Sequence, residues 1–287
     1  MNENPILAVI GGSGLYQFPS LKNPELIEVD TPYGAPSSPI TIGELSGKKV
    51  AFLARHGIGH TILPTEVNSR ANIYALKSLG VTRIVSVSAC GSLREDFRPG
   101  QIVIPDQLVD FTSQRPRTFF GEGVVAHIGS ANPFCKDLSK LIIKALKPSG
   151  TVVHTSGTYI TIEGPRFSTR AESNLFREWG MSIIGMTACP EAFLAREAEI
   201  CYATMAHVTD YDVWHSSELP VTVEMVIKVL NENTTIAQNA INNLVTLLPE
   251  ANTCDCQNIL KDAIMTQREK IPAKTKKKLG ILVKKYL

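Results

Sequence analysis

The sequence predicts an α/β fold, a single domain built on a central mixed sheet with helices on its faces, and three observations carry that prediction. Short runs rich in β-branched and aliphatic residues alternate with stretches whose apolar residues recur at helical spacing. Several of the apolar runs are continuous rather than alternating, as in strands covered on both faces. The punctuation also agrees: glycine closes candidate helices at Gly80 and Gly180, and Pro190 stands where a helix opens.

Taken in order, strands are expected at 6–10, 40–42, 50–54, 83–88, 101–104, 158–162, 183–187 and 201–208. The first expected helix, 66–79, carries Val67, Ala71, Tyr74, Ala75 and Leu79 at helical spacing and stops at Gly80. Helices follow at 136–146, 170–179 and 190–198. The longest, 221–248, is bracketed by Pro220 and Pro249. No repeat or low-complexity linker interrupts residues 1–250, which read as one domain; residues 251–287 read as a helical, basic C-terminal extension, packed on that domain or on a neighbouring subunit.

Composition narrows the function. A chain of 287 residues that is 44% hydrophobic and 20% charged can fill a core. A net charge of +2 gives no pull towards nucleic acid. No apolar run reaches the ~18 residues of a membrane span. The opening MNENPILAVIGG lacks the basic segment and cleavage site of a secretion signal, so a cytoplasmic protein is expected. Six cysteines in a chain this long do not make a secreted disulfide framework. Cys90, Cys135, Cys189 and Cys201 read as small core residues. Cys254 and Cys256 form a C-x-C pair of their own. Residues 270–287 hold seven lysines and no acid after Lys270, which reads as a solvated tail or one packed on a neighbouring subunit through Leu279, Ile281 and Leu282.

The chemistry lies where strands end, since ligands meet open α/β sheets there. Gly11-Gly12-Ser13-Gly14 follows the first strand; glycines admit backbone N–H groups close to an oxyanion, although a tight turn explains them equally. It is neither a Walker loop nor a dinucleotide fingerprint. Arg55 and His56 leave the strand at 50–54, a guanidinium fork and an imidazole suited to phosphate. His56 and His60 stand four apart, but Gly57 and Gly59 argue against a metal-binding helix, and no metal is expected. Ser88, Ala89, Cys90 and Gly91 supply small side chains and a hydroxyl. Cys90 reads as buried and inert. Phe167 follows a Gly-Pro turn, while Met186 and Thr187 end the strand at 183–187. The strand at 201–208 runs into Asp210 and Asp212; in extended geometry both share one side, with Tyr211 opposite. By themselves the two acids are more simply read as caps of a turn. Together the loops supply an oxyanion site (Ser13, Arg55, His56, Ser88, Thr187), an apolar wall (Phe167, Met186) and two acids.

These motifs resemble the methylthioadenosine phosphorylase branch of the trimeric purine nucleoside phosphorylase family. The resemblance runs through GGSGL at 11–15, LARHG at 53–57, NSRANIYALK at 68–77 and SACGSLRED at 88–96. It continues through IEGPRFSTRAES at 162–173, GMTACPEAFLAREAEICYA at 185–203 and TDYDVW at 209–214. It implies a nucleoside phosphorylase fold with a mixed sheet or distorted barrel, and reversible phosphorolysis of 5′-methylthioadenosine with inorganic phosphate as co-substrate and no metal or organic cofactor. By position, Ser13, Arg55, His56, Ser88 and Thr187 would bind phosphate. Ala89, Met186 and Phe167 would touch ribose and base, and Asp210, supported by Asp212, the N7 and N6 edge. Val223 and Val226 would face the methylthio group. His127 would reach a neighbouring subunit's pocket, which implies a homotrimer, alone or paired into a hexamer. Serine at 13 and 88 departs from the threonine of many relatives but keeps the hydroxyl. The C-x-C pair resembles one that is oxidised in some relatives.

Three rivals remain at this stage. A purine nucleoside phosphorylase of broader specificity would take adenosine, inosine or methylthioinosine. A nucleosidase would use water and leave Arg55, His56 and the hydroxyls without a task. A nucleotide or RNA binder would depend on the lysine tail.

Overall fold

The computed structural model describes residues 4–12, 18–215, 223–252 and 254–287. Ser13 lies outside the described residues, as does the side chain of Val226. The chain begins with β1 (Leu7–Gly11), β2 (Lys22–Ile27), β3 (Ile40–Leu45), β4 (Lys48–Ala54), α1 (Ser69–Ser78), β5 (Arg83–Ser92), β6 (Ile102–Val103) and β7 (Gln107–Phe111). It continues with α2 (Lys136–Leu146), β8 (Val153–His154), β9 (Thr158–Ile162), α3 (Arg170–Glu178) and β10 (Ile183–Gly185). Then come α4 (Glu191–Glu197), β11 (Cys201–Asp210), α5 (Val223–Leu247) and α6 (Ala273–Leu279).

Among the described residues the strands form one mixed sheet in the order β2-β3-β4-β1-β5-β10-β9-β7, with β11 beside β5 and β6, and β8 beyond β6. Its centre is β5. That strand runs parallel to β1 and to β11, and its last residues, Gly91 and Ser92, pair antiparallel with β10. Alternation along β1 explains the layers. Ala8 and Ile10 face a core shared with Ile73 and Leu76 of α1, Leu194 of α4 and, from the C-terminal extension, Leu279, Leu282 and Val283. Leu7 and Val9 face the opposite core, with Leu138 and Ile142 of α2 and Ile241 and Leu244 of α5.

Local chemistry sets the boundaries. α1 starts at Ser69, later than the apolar spacing predicts, because the Asn68 side chain caps the Ala71 N–H. α3 starts in a capping box made by Thr169 and Glu172. Strands β2, β7 and β8 are not predicted from sequence. Nearly all of β2 is exposed, it contains Pro24, and its pairing with β3 slips between Lys22 and Glu25, so it shows none of the alternation that marks a half-buried strand. No helix among the described residues is long and apolar enough to cross a membrane.

Candidate active site

The ends of β4, β9, β10 and β11 and the last half of β5 meet around one cavity of ≈ 430 Å³, closed on another side by α5. Arg55, His56, Ser88, Ala89, Phe167, Met186, Thr187, Asp210, Asp212 and Val223 all line it. The residues singled out in sequence are therefore gathered in space, apart from Ser13 and the Val226 side chain, which lie outside the described part, and His127. That histidine is exposed, lies away from this cavity's lining and is anchored by its backbone N–H to the Ala263 carbonyl.

One half of the cavity is cationic and rich in hydroxyls. Arg55 is 2% exposed, and its guanidinium is fixed before any ligand arrives. Nε and Nη2 donate to the two oxygens of Glu191, each at 3.0 Å, and Nη2 also donates to Ser86 Oγ at 2.7 Å. Nη1 donates one hydrogen to the Val87 carbonyl at 3.3 Å; its second has no acceptor among the described residues. Burial opposes the charge on Arg55, but the Glu191 carboxylate outweighs it and holds the group firmly cationic. Tyr202 donates to the same carboxylate at 2.7 Å. Beside Arg55, His56 Nδ1 donates to the Ile62 carbonyl at 3.0 Å; a carbonyl only accepts, so this fixes the tautomer and leaves Nε2 for the cavity. Burial, then the neighbouring Arg55 charge, lowers the His56 pKa to about 4. Ser88 Oγ is buried without a hydrogen-bond partner among the described residues, and Thr187 Oγ1 lies 3.3 Å from the Tyr159 hydroxyl.

The other half is acidic and apolar. Asp210 ends β11, 7% exposed. Its Oδ2 accepts from Thr209 Oγ1 at 2.6 Å and its Oδ1 from the Asp212 N–H at 2.8 Å. Burial dominates all the same and raises its pKa to about 6. Asp212 does not continue the strand. Its φ of 51° folds the chain back, so the expectation of two acids on one extended side is corrected: Asp212 supports Asp210 through its backbone. Its own Oδ2 is buried and unpartnered among the described residues, and burial raises its pKa. Gly91 of β5 makes room for this pair, since a Cβ there would stand 2.9 Å from Asp210 Oδ1 and 3.3 Å from Asp212 Cβ. Phe167, 37% exposed, and Met186 line the same end.

Sequence reasoning missed four contributors. Glu191, the partner that fixes Arg55, reads in sequence as an ordinary helix-opening acid. Arg115 sits in a loop with no motif. Yet it is 7% exposed and ties the two loops behind the apolar end together: it donates to Glu163 Oε1 and to the carbonyls of Glu163, Met186 and Cys189. His207 reads as part of a strand. It faces the cavity, 1% exposed, with both ring nitrogens unpartnered among the described residues, and burial lowers its pKa to about 4. Asn233 of α5, whose Nδ2 is likewise unpartnered, lines the cavity too.

Residues 6–246 match the family model described as the phosphorylase superfamily. The S-methyl-5′-thioadenosine phosphorylase of Geobacter sulfurreducens is 52% identical over 283 residues, which cover 98% of this chain and 99% of that one. The enzyme of that name from Koribacter versatilis is 51% identical over 280 residues, 98% of this chain and 96% of that one. Among solved structures, a methylthioadenosine phosphorylase from an Antarctic soil metagenomic library superposes with a TM-score of 0.93 at 48% identity, covering 98% of this chain and 99% of that one. The methylthioadenosine phosphorylase of Schistosoma mansoni in complex with adenine gives a TM-score of 0.86 at 36% identity, covering 92% and 99%. A family match over residues 6–246 and a superposition over nearly the whole length lead to one conclusion: the chain belongs to the phosphorylase superfamily.

Proposed function

We propose that the chain catalyses the reversible phosphorolysis of 5′-methylthioadenosine, transferring its pentosyl group from adenine to inorganic phosphate and yielding 5-methylthioribose 1-phosphate. The observation that carries this reading is the division of one cavity between a pre-paired cationic, hydroxyl-lined half and a buried carboxyl with a raised pKa. Relatives that share half their residues with this chain carry the same activity in their names.

The chemistry follows from that division. As the ribosyl–purine bond lengthens, positive charge grows on the sugar and negative charge on the base. Monohydrogen phosphate, held by donors on Arg55, Ser88, Thr187 and Ser13 and giving its own P–OH hydrogen to His56 Nε2, offsets the first charge from beneath the ring and then attacks the anomeric carbon. Asp210, carrying its proton, gives it to purine N7, so that adenine leaves neutral; the carboxylate left behind takes the proton back in the reverse direction. Its oxygens also accept from a 6-amino group, which favours adenine over 6-oxopurines. Phe167 and Met186 flank the base, Ala89 adjoins the ribose, and Val223 and Val226 face the methylthio group. His127 completes the pocket of a neighbouring copy in a cytoplasmic trimer, alone or paired into a hexamer. Phosphate is a co-substrate, and no metal or organic cofactor takes part in this step.

The test is adenine release from methylthioadenosine with and without phosphate, repeated with adenosine and methylthioinosine. Release that depends on phosphate and is fastest with methylthioadenosine is the expected result. Equal rates without phosphate would point to hydrolysis, and a preference for the inosine compound would remove the role given to Asp210.

A further inference from the structure

At the opposite end of β11 from Asp210, four thiols converge. Cys201 opens the strand, Cys135 stands immediately before α2, and Cys254 and Cys256 come from the loop after α5. Their sulfurs all lie within 4.8 Å of one another, with Cys201 Sγ and Cys254 Sγ 2.7 Å apart. Cys135 and Cys201 are buried, and the other two are half-buried. Ten residues of strand, roughly 30 Å at 3.3 Å per residue, separate this cluster from the cavity, so it is no part of the phosphate or base site.

We propose that these four cysteines form a tetrathiolate site for a structural zinc ion. Sequence reading does not anticipate it, because Cys135 and Cys201 look like lone core residues and only the fold brings the C-x-C pair to them. The geometry suits the metal. A tetrahedron with zinc–sulfur bonds of ~2.3 Å has edges of ~3.8 Å, within the 4.8 Å that bounds these sulfurs, with Cys201 Sγ and Cys254 Sγ parting by about 1 Å to admit the ion. The surroundings suit it also. Zinc with four thiolates carries two net negative charges, and groups that offset them are in place. Arg83 lines a 60 Å³ cavity together with Cys135, Cys201 and Cys254, held there by donating to the carbonyls of Pro249 and Ala251. Asn252 Nδ2 donates to Cys201 Sγ at 3.0 Å, and Cys135 sits at the positive end of the α2 dipole. No redox partner is required: the cation enters, four S–H bonds give up their protons to solvent, and four zinc–sulfur bonds form. Such an ion fastens three separate pieces together, namely the start of α2, the start of β11 and the root of the C-terminal extension.

The full chain, purified with a reductant and loaded with zinc chloride alone, is expected to retain about one zinc per chain through dialysis, and to show the visible absorption of tetrahedral thiolate coordination when cobalt replaces zinc. Cys254→Ala is expected to lose the metal and the cobalt spectrum, whereas Cys254→His, which keeps a zinc ligand, is expected to retain both; neither change touches the active-site cavity. Rescue by histidine distinguishes coordination from a sulfur–sulfur link, which histidine cannot make. Two findings overturn the proposal: no retained zinc in reduced protein whose six thiols all titrate, or alkylation without reductant that leaves four cysteines blocked as two disulfides.

Discussion

Asp210 shows most directly what one residue contributes. Its carboxyl holds its proton more tightly in the folded chain than in the unfolded one, where the pKa is 3.8. The stabilisation from that proton is complete below pH 3.8 and is lost as pH rises through about 6. At neutral pH the buried carboxylate therefore works against folding, by about 2–3 kcal/mol at most. Asp210→Asn removes that opposition together with the proton donor. Adenine release is expected to fall by roughly 10²–10⁴-fold. Over the same pH range, the melting temperature of the variant should gain on that of the parent as pH rises from 4 to 7. A variant that loses stability relative to the parent across that range would contradict the burial argument. Arg55 carries the complementary lesson. Its type and its place after a strand marked it in the sequence. Glu191, which decides where its guanidinium points, lies far along the chain and left no local signal.

At the scale of elements, the site depends on loops held in register by Arg115. It clamps the exit of β9, through the Glu163 side chain and carbonyl, to the β10–α4 connection, through the Met186 and Cys189 carbonyls. Arg115→Ala frees both loops at the base-binding end while leaving Arg55 and Glu191 paired. The KM for the nucleoside is expected to rise on the order of tenfold or more, from hydrogen bonds to a charged group worth ~1.5–3 kcal/mol each, with the KM for phosphate changed far less. Initial rates with each substrate varied in turn measure the split; an equal rise in both constants would show a general loosening instead. Helices α1 to α5 and the buried strands were legible because periodicity and caps report directly on burial: α2 was read with its full bounds, and Leu138, Ile142 and Leu146 are its buried face. β2 is exposed, β7 is half-buried and β8 is only two residues long, and pairing with neighbours makes them strands more than their own residues do.

For the whole molecule, the C-terminal extension is a structural part of the fold. Leu279, Leu282 and Val283 are at most 4% exposed and pack in the core that α1 and α4 share. Its lysines are partly engaged as well, Lys278 with Glu122, and Lys285 with the Gln257 carbonyl and Asn258. Sequence reading anticipates packing through Leu279, Ile281 and Leu282 but leaves open which surface receives them; Leu279 and Leu282 are buried as expected, whereas Ile281 is exposed and Val283 takes the third place. Leu282→Ala is expected to cost ~2–5 kcal/mol through the cavity it leaves. Thermal unfolding should therefore shift down by several degrees, while turnover per folded molecule at 25 °C stays close to that of the parent.

The central position of β5 also bears on how the chain acquires its shape. β1, β4 and β5 come from the first third of the chain and bring Arg55, His56 and Ser88 together through neighbouring segments. β11 pairs with β5 across more than a hundred intervening residues, Cys201 lying opposite Arg83. Closing so long a loop is slow relative to local pairing. Arg55, His56 and Ser88 are therefore expected to come together before Thr187, which completes the anion site, and before Glu191, the counter-charge of Arg55. The cavity is expected to be complete only once Thr187, Glu191 and β11 have docked against β5.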